Sequence, residues 1–283
     1  MKNRWLLNIG LALLIGALVL VNVYQPGKKQ EPEGTALTLL APPEVRQLRL
    51  VRPQQKPVEL EKIGEAWRMN APRTARANEV RVNELVQLAN TRVKVRFPAA
   101  AADLAKYGLD KPLVTVFLND QEIRFGGMHP LESQLYVWHD GQVTLVPAAT
   151  LRVASAPVND FLNTSLLEDK TKPVAFRLPG FSLKQNEQGA WERTPELKEL
   201  GSDAINRFVD EWRFARALSV APYSGKPVKE RVTLNLADGD KTRILELGVL
   251  AREPEFIVYR KDEGLEYHFP ADIGVRLMQI KAE

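Results

Sequence analysis

Few residues here are equipped to do chemistry. His129, His139 and His268 are the only histidines in 283 residues, and no two stand at the short spacing from which one helix or hairpin supplies a pair of metal ligands. Cysteine is absent, which removes disulfides, thiolate zinc sites, a thiol nucleophile and a lipid-modified cysteine together. No G-x-S-x-G, S-x-x-K, phosphate-loop or G-x-G-x-x-G pattern supplies an activated serine or a phosphate cradle. Acidic pairs exist, Glu168 with Asp169 and Glu59 with Glu61, but acid–base work needs carboxylates that converge in a cleft. On strands and in loops such pairs read as solvated faces. The expectation is a protein that is not an enzyme, with no cofactor and no metal. His139 and His268, near the ends of comparable strands, read as turn or rim residues.

Charge narrows the partners. The formal net charge is +4, but Lys2 and Arg4 precede the first apolar run, and the remainder carries 37 basic against 35 acidic residues. So small an excess gives no footprint for nucleic acid. One local imbalance stands out: between Pro43 and Phe97 there are twelve basic and six acidic residues. Arg73, Arg76 and Arg81 belong to that stretch and are the candidate contacts for anionic lipid or an acidic partner, the bland alternative being a solvated face.

What must position any such site begins with a span. Trp5 to Tyr24 contains no charged residue, and a helix of about 20 residues at roughly 1.5 Å each covers the hydrocarbon layer. Asn8 and Asn22 lie near its ends, and Trp5 and Tyr24 fall where interfacial rings are favoured. A cleaved signal peptide would have a shorter apolar core and small residues at the cut. Val21, Asn22, Val23, Tyr24 and Gln25 offer none. The expectation is a retained signal-anchor in a bacterial inner membrane, N-terminus cytoplasmic, with the bulk of the chain periplasmic. Residues 1–24 are then tip and anchor, and 25–43, rich in Pro, Gly, Lys, Glu and Gln, a flexible linker.

Beyond it, one phrase occurs twice. Glu65 to Arg73 reads EAWRMNAPR, and Gly189 to Glu196 reads GAWERTPE. Alternating apolar residues precede each tryptophan, Leu48 with Leu50 and Val58 with Leu60 in the first case. A helical stripe follows each: Val82, Leu85, Val86, Ala89 and Val93 behind an N-capping Asn78, then Ile205, Phe208, Val209 and Trp212 behind Ser202 or Asp203. Tyr107 and Pro112 answer Tyr223 and Pro227, Gly141 answers Gly264, and Pro147 answers Pro270. Common offsets predict a duplicated unit. The fold class expected is α+β: a single transmembrane helix, then two tandem, similar units of antiparallel strands packed on a helix, residues 44–165 and 166–283. Trp67 and Trp191 are expected to cover the helical stripe.

Two loops tempt a functional reading. In Tyr107-Gly108-Leu109-Asp110-Lys111-Pro112, Gly108 can take a positive dihedral, Asp110 can hydrogen-bond the turn, and Pro112 can fix the approach to a strand. Phe125-Gly126-Gly127-Met128-His129-Pro130 reads as a strand end whose paired glycines permit close approach by another chain.

The tryptophan units, the Tyr107–Pro112 motif, Gly126, Tyr136-Val137 and the stretch Phe161 to Lys170 together resemble the family catalogued as domain of unknown function 4340, over most of Val45 to Leu277. The second unit departs from it, with Ser224-Gly225-Lys226-Pro227 in place of Gly-Leu-Asp. The resemblance implies a membrane-tethered extracytoplasmic protein and an accessory role beside transporters of the ATP-binding-cassette type; it brings no catalytic residues. The leading expectation is a non-enzymatic adaptor with a protein partner in an envelope transport complex. The alternatives are a module binding polysaccharide, peptide or lipid in the groove between the units, and an uncharacterised hydrolase with converging carboxylates or histidine.

Overall fold

The computed structural model describes residues 3–24, 34–197, 200–239 and 241–281. Helix α1, Asn3–Tyr24, comes first. Its side chains are described at Trp5 and from Ile9 to Val19, and among the described residues no helix is long and apolar enough to cross a membrane. Lys2 and residues 25–33 of the expected linker lie outside the described residues.

From Gly34 onward the chain departs from the expected tether. β1, Thr35–Ala36, pairs antiparallel with a later strand, placing Thr35 against Val93 and Ala36 against Arg92. Leu37 is fully buried, and the Thr38 hydroxyl donates to the Ala89 carbonyl at 3.1 Å. Composition suggested a solvated segment, but one leucine and a set of backbone partners suffice to dock it on the first unit.

That unit continues with β2 (Gln47–Val51), β3 (Val58–Ile63) and β4 (Ala66–Ala71), in which alternate residues Leu48, Leu50, Val58, Leu60, Trp67 and Met69 turn inward. β5 is the two-residue Ala75–Arg76. α2, Glu79–Val86, starts on Asn78, whose side chain accepts the Arg81 N–H as expected. The helix stops seven residues short of Val93, which belongs instead to β6, Arg92–Val93. Then come β7 (Arg96–Pro98), β8 (Val114–Leu118), β9 (Gln121–Met128), β10 (Gln134–His139), β11 (Gln142–Pro147) and α3 (Ala149–Ala154). Gly126 therefore sits inside β9 and does not end it.

The second unit repeats the scheme with β12 (Lys172–Leu178), β13 (Phe181–Gln185), β14 (Trp191–Thr194), α4 (Ser202–Arg213) and β15 (Ser219–Pro222). β16 (Glu230–Asp238), β17 (Lys241–Ala251), β18 (Glu255–Arg260), β19 (Leu265–Pro270) and α5 (Ala271–Met278) complete it. The α4 stripe of Ile205, Phe208, Val209 and Trp212 is buried, and the Trp212 indole donates to the Leu277 carbonyl at 2.8 Å. Gly201 stands at its N-cap, so neither Ser202 nor Asp203 caps the helix.

Strand order makes the likeness concrete. The first sheet runs β5-β4-β3-β2-β8-β9-β10-β11-β7, and the second β14-β13-β12-β16-β17-β18-β19-β15. Apart from β5, position for position they agree: a three-strand meander, a helix, a strand sent to the far edge, then a four-strand meander back beside the first strand. Every pairing is antiparallel, so the fold is α+β. The two cores are continuous, joined through Phe161, Leu162, Leu166 and Leu167, all within one apolar cluster that also holds Trp67 and Phe176.

Candidate functional site

The Tyr107–Pro112 loop is anchored on a sheet. Ala101–Tyr107 forms a 3-10 turn closed by Gly108 at φ +66°, and it lies over β9 on the face away from α2. A Cβ on Gly126 would stand 2.8 Å from the Leu109 Cγ, and one on Gly108 3.0 Å from the Gly127 nitrogen. The chain for which the glycines make room is thus the protein's own. Leu109, Leu104 and Val143 form a small second core there, edged by Phe97, Tyr107, Tyr136 and Trp138. The Tyr107 ring is 4.8 Å from that of Tyr136. Asp110 is exposed and its carboxylate makes no hydrogen bond among the described residues, so it does not bind the turn; Pro112 leads into β8. The second unit builds the same device from other residues: Tyr223 stacks on Tyr259 at 3.9 Å, and a Cβ on Gly248 would meet a Val228 methyl at 2.7 Å.

Both tryptophans pack. Trp67 is buried, and its backbone N–H donates to the Glu79 carboxylate at 2.8 Å in the first turn of α2. Trp191 lies 5.7 Å from Phe176, whose ring in turn meets Phe208 at 5.6 Å and Trp212 at 6.1 Å.

The three candidate arginines are separated. Arg81 is exposed and pairs with Glu84 at 3.0 Å; Arg73 is half-buried. Arg76 is not a surface contact: its side chain is only 11 % exposed. β5 carries it to the first sheet's edge, where its backbone accepts from Asn163 N–H and its guanidinium crosses into the second unit. There Nε lies 2.5 Å from Glu263 Oε1, while Nη2 donates to the Tyr267 hydroxyl at 2.9 Å and the Ser165 carbonyl at 2.8 Å.

Arg76 opens onto the densest ionic cluster among the described residues. Arg260, 1 % exposed, donates to the Leu166 carbonyl at 2.6 Å, to Glu168 at 2.7 Å and to Asp262 at 2.9 Å. Glu168 also bonds Arg243 and faces Arg76 at 3.8 Å. Glu168 is thereby a member of an ionic network, its side chain 30 % exposed, and not the freely solvated loop residue its sequence suggested. Burial opposes charge throughout, yet Tyr267 and Glu263 hold the Arg76 pKa above the guanidinium norm. Against the same penalty, Arg260 and Arg76 depress the Glu168 carboxyl, and Arg260 depresses that of Asp262. Burial raises the Tyr267 phenol and keeps it protonated. Three guanidinium groups face three carboxylates, all fixed in place.

Histidine does meet carboxylates, away from this network. His268 lies within β19, not in a turn: Nδ1 is 3.0 Å from Glu255 Oε2, and Nε2 is 3.6 Å from Glu266 Oε2. The Ser224 hydroxyl donates to Glu266 at 2.5 Å, and not to His268. A nucleophile needs its base within hydrogen-bond reach, and here both imidazole nitrogens face carboxylates. His139 ends β10, buried, with Nδ1 2.9 Å from the Glu122 carbonyl. Among the described residues no group of three His, Asp or Glu could hold a metal ion. Open depressions line the outer face of the first sheet around Arg49, Glu59 and Asn119, and the α4–α5 groove around Arg207, Phe208 and Arg276; each lies within one unit.

These features define a class: a tandem antiparallel α+β protein whose ionic centre ties its halves together and leaves no nucleophile–base pair among the described residues. The chain belongs to the family described as Domain of unknown function (DUF4340), whose profile matches residues 67–238. That match begins at Trp67 on β4 and ends at Asp238 on β16, so it crosses the seam. No curated protein and no solved structure matches the chain.

Proposed function

We propose that this protein is a single-pass inner-membrane adaptor, whose two units project into the periplasm as one body and serve an envelope transport complex of the ATP-binding-cassette type by contact and not by catalysis. The observation that carries this reading is the seam. A network of mutually paired charges, buried at Arg76, Arg260 and Glu263 and continuous with a shared apolar core, suits a rigid platform. Anchoring is supported by α1, where Trp5, Leu11, Leu13, Leu14, Ile15 and Leu18 are more than half exposed and the sequence from Ile9 to Val21 holds no polar residue. An apolar surface of that kind, all round one helix, is suited to lipid. A tethered body also meets a membrane partner at raised effective concentration.

Because the chain has no cysteine, single introduced thiols report topology directly. In intact cells, a thiol at exposed Leu131 or Leu218 is expected to react with a membrane-impermeant maleimide, and the protein to stay with membranes in alkaline carbonate. Protection of both thiols until lysis, or release by carbonate, would contradict the proposal.

A further inference from the structure

The connection that leaves α4 sets the second unit apart from the first. The helix ends at Phe214, whose N–H still donates to the Asp210 carbonyl at 2.9 Å. Beyond it Ala215 and Ala217 are buried, their backbones bonded to Leu166 and Thr164 at 2.9 Å each, and the Leu218 N–H donates to the His268 carbonyl at 2.8 Å. Alternation therefore turns Phe214, Arg216 and Leu218 outward, Phe214 66 % and Leu218 72 % exposed, on a backbone held along its length. The Arg213 guanidinium lies 5.1 Å over the Phe214 ring. In the sister connection, Gln87 to Val93, the exposed residues are Gln87, Asn90 and Arg92, and the large apolar ones, Leu88 and Val93, are buried. Duplication accounts for the backbone path and not for a phenylalanine and a leucine left in solvent between arginines. Charge along this ridge is one-sided: no acidic residue occurs between Glu211 and Glu230, a stretch that holds Arg213, Arg216, Lys226 and Lys229. Among the described residues neither Arg213 nor Arg216 pairs with a carboxylate. Of the acids nearby, Glu211 pairs with Arg276 at 3.1 Å, Glu255 meets His268 at 3.0 Å, and Asp160 lines a separate depression with Arg81 and Arg152. Asp210 stands in the wall of an open hollow beside Phe214, with Arg216 and Ile273.

We infer that the ridge of Arg213, Phe214, Arg216 and Leu218 is the docking surface for an acidic segment of the membrane partner, one that sets an apolar side chain against Phe214 and Leu218 and carboxylates against the two arginines. The inference rests on the reading of this chain as a contact protein, and it names the surface and the chemistry of that contact. Arginine and aromatic side chains on a fixed backbone are the residues that dominate binding energy where proteins meet. An arginine with no carboxylate of its own offers its planar fork to an incoming one without first breaking a pair. The hollow beside the ring admits a protein side chain, while Asp210 in its wall repels a lipid phosphate, so a protein segment fits this surface better than an anionic bilayer does.

The test uses the full-length protein in intact cells, with an apolar photoreactive residue at Leu218 or, for reference, at Leu131 in the first unit, and mass spectrometry of the crosslinked peptide. From position 218 the adduct is expected on a segment of the membrane partner that carries carboxylates beside an apolar residue. Arg213→Glu with Arg216→Glu sets like charges together and should lower its yield by at least about tenfold. Arg213→Lys with Arg216→Lys, which keeps the charge, should lose far less. Arg46→Glu with Arg68→Glu, the same reversal at exposed positions of the first unit, should leave the yield unchanged. Adducts from position 131 alone, an adduct from 218 that survives the reversal, or one formed with phospholipid would overturn the ridge and spare the adaptor reading. No adduct from either position would overturn both.

Discussion

Arg76 separates the structural account from the surface-patch expectation most cleanly. Removing one partner from a buried, hydrogen-bonded pair leaves the others uncompensated, so Arg76→Ala is expected to cost about 3 kcal/mol in urea unfolding. Arg81→Ala, which loses only the exposed pair with Glu84, should stay within about 0.5 kcal/mol. Equal effects would contradict the seam. Glu168 adds a pH dependence. Its folded pKa lies below the unfolded value of about 4.3, so its contribution is complete above that pH and is lost as pH falls through the folded value. The stability gap between the wild type and Glu168→Gln should therefore narrow between neutral pH and pH 3; a constant gap would refute the assignment. Part of this site was legible beforehand. Alternation along β18 puts Arg260 on the inward face with Phe256 and Val258, and a cation on an apolar face calls for buried partners. The partners themselves were not legible: Arg260 meets Glu168 across 92 positions and Arg76 meets Glu263 across 187, separations that no local pattern encodes.

Elements followed from sequence where periodicity ran long. The strands before each tryptophan, the α4 stripe and the repeated order are all carried by alternation or by helical spacing. Short elements did not follow. β1 and β5 have two residues each, too few for any period, and they are held by docking on longer strands. Val93 kept the helical phase of Val82 and Val86 yet entered β6, because the chain leaves α2 through a 3-10 turn at Gln87–Asn90. Gly126 looked like a strand end and is instead the gap into which Leu109 fits. Gly126→Ala is accordingly expected to destabilise by about 1–3 kcal/mol through overpacking, with changed near-ultraviolet dichroism from Tyr107 and Tyr136. Gly201→Ala, where a Cβ meets nothing within 4 Å and φ is negative, should lose only the glycine N-cap preference, under about 1 kcal/mol, in the same thermal melts and leave the dichroism unchanged. Similar losses at both glycines would refute the close-approach explanation.

For the whole molecule, duplication explains more than resemblance between halves. Each unit sends one strand to the far edge of its own sheet, and the stretch Phe161 to Glu168 is then free to join both, bridging Ala77 in one and Arg216 in the other. The seam fixes the two outer surfaces relative to each other, which is what a contact protein requires and a ligand-closing clamp does not. The central claim is contact with a membrane transport partner, and in-cell photo-crosslinking of the full-length chain tests it most directly. With a photoreactive residue at exposed Leu131 in one unit and Leu218 in the other, the proposal predicts a discrete adduct with a membrane-embedded transporter subunit, absent when residues 5–24 are replaced by a cleavable signal peptide. Recovery of the chain uncrosslinked, or joined only to itself, from both positions would contradict it.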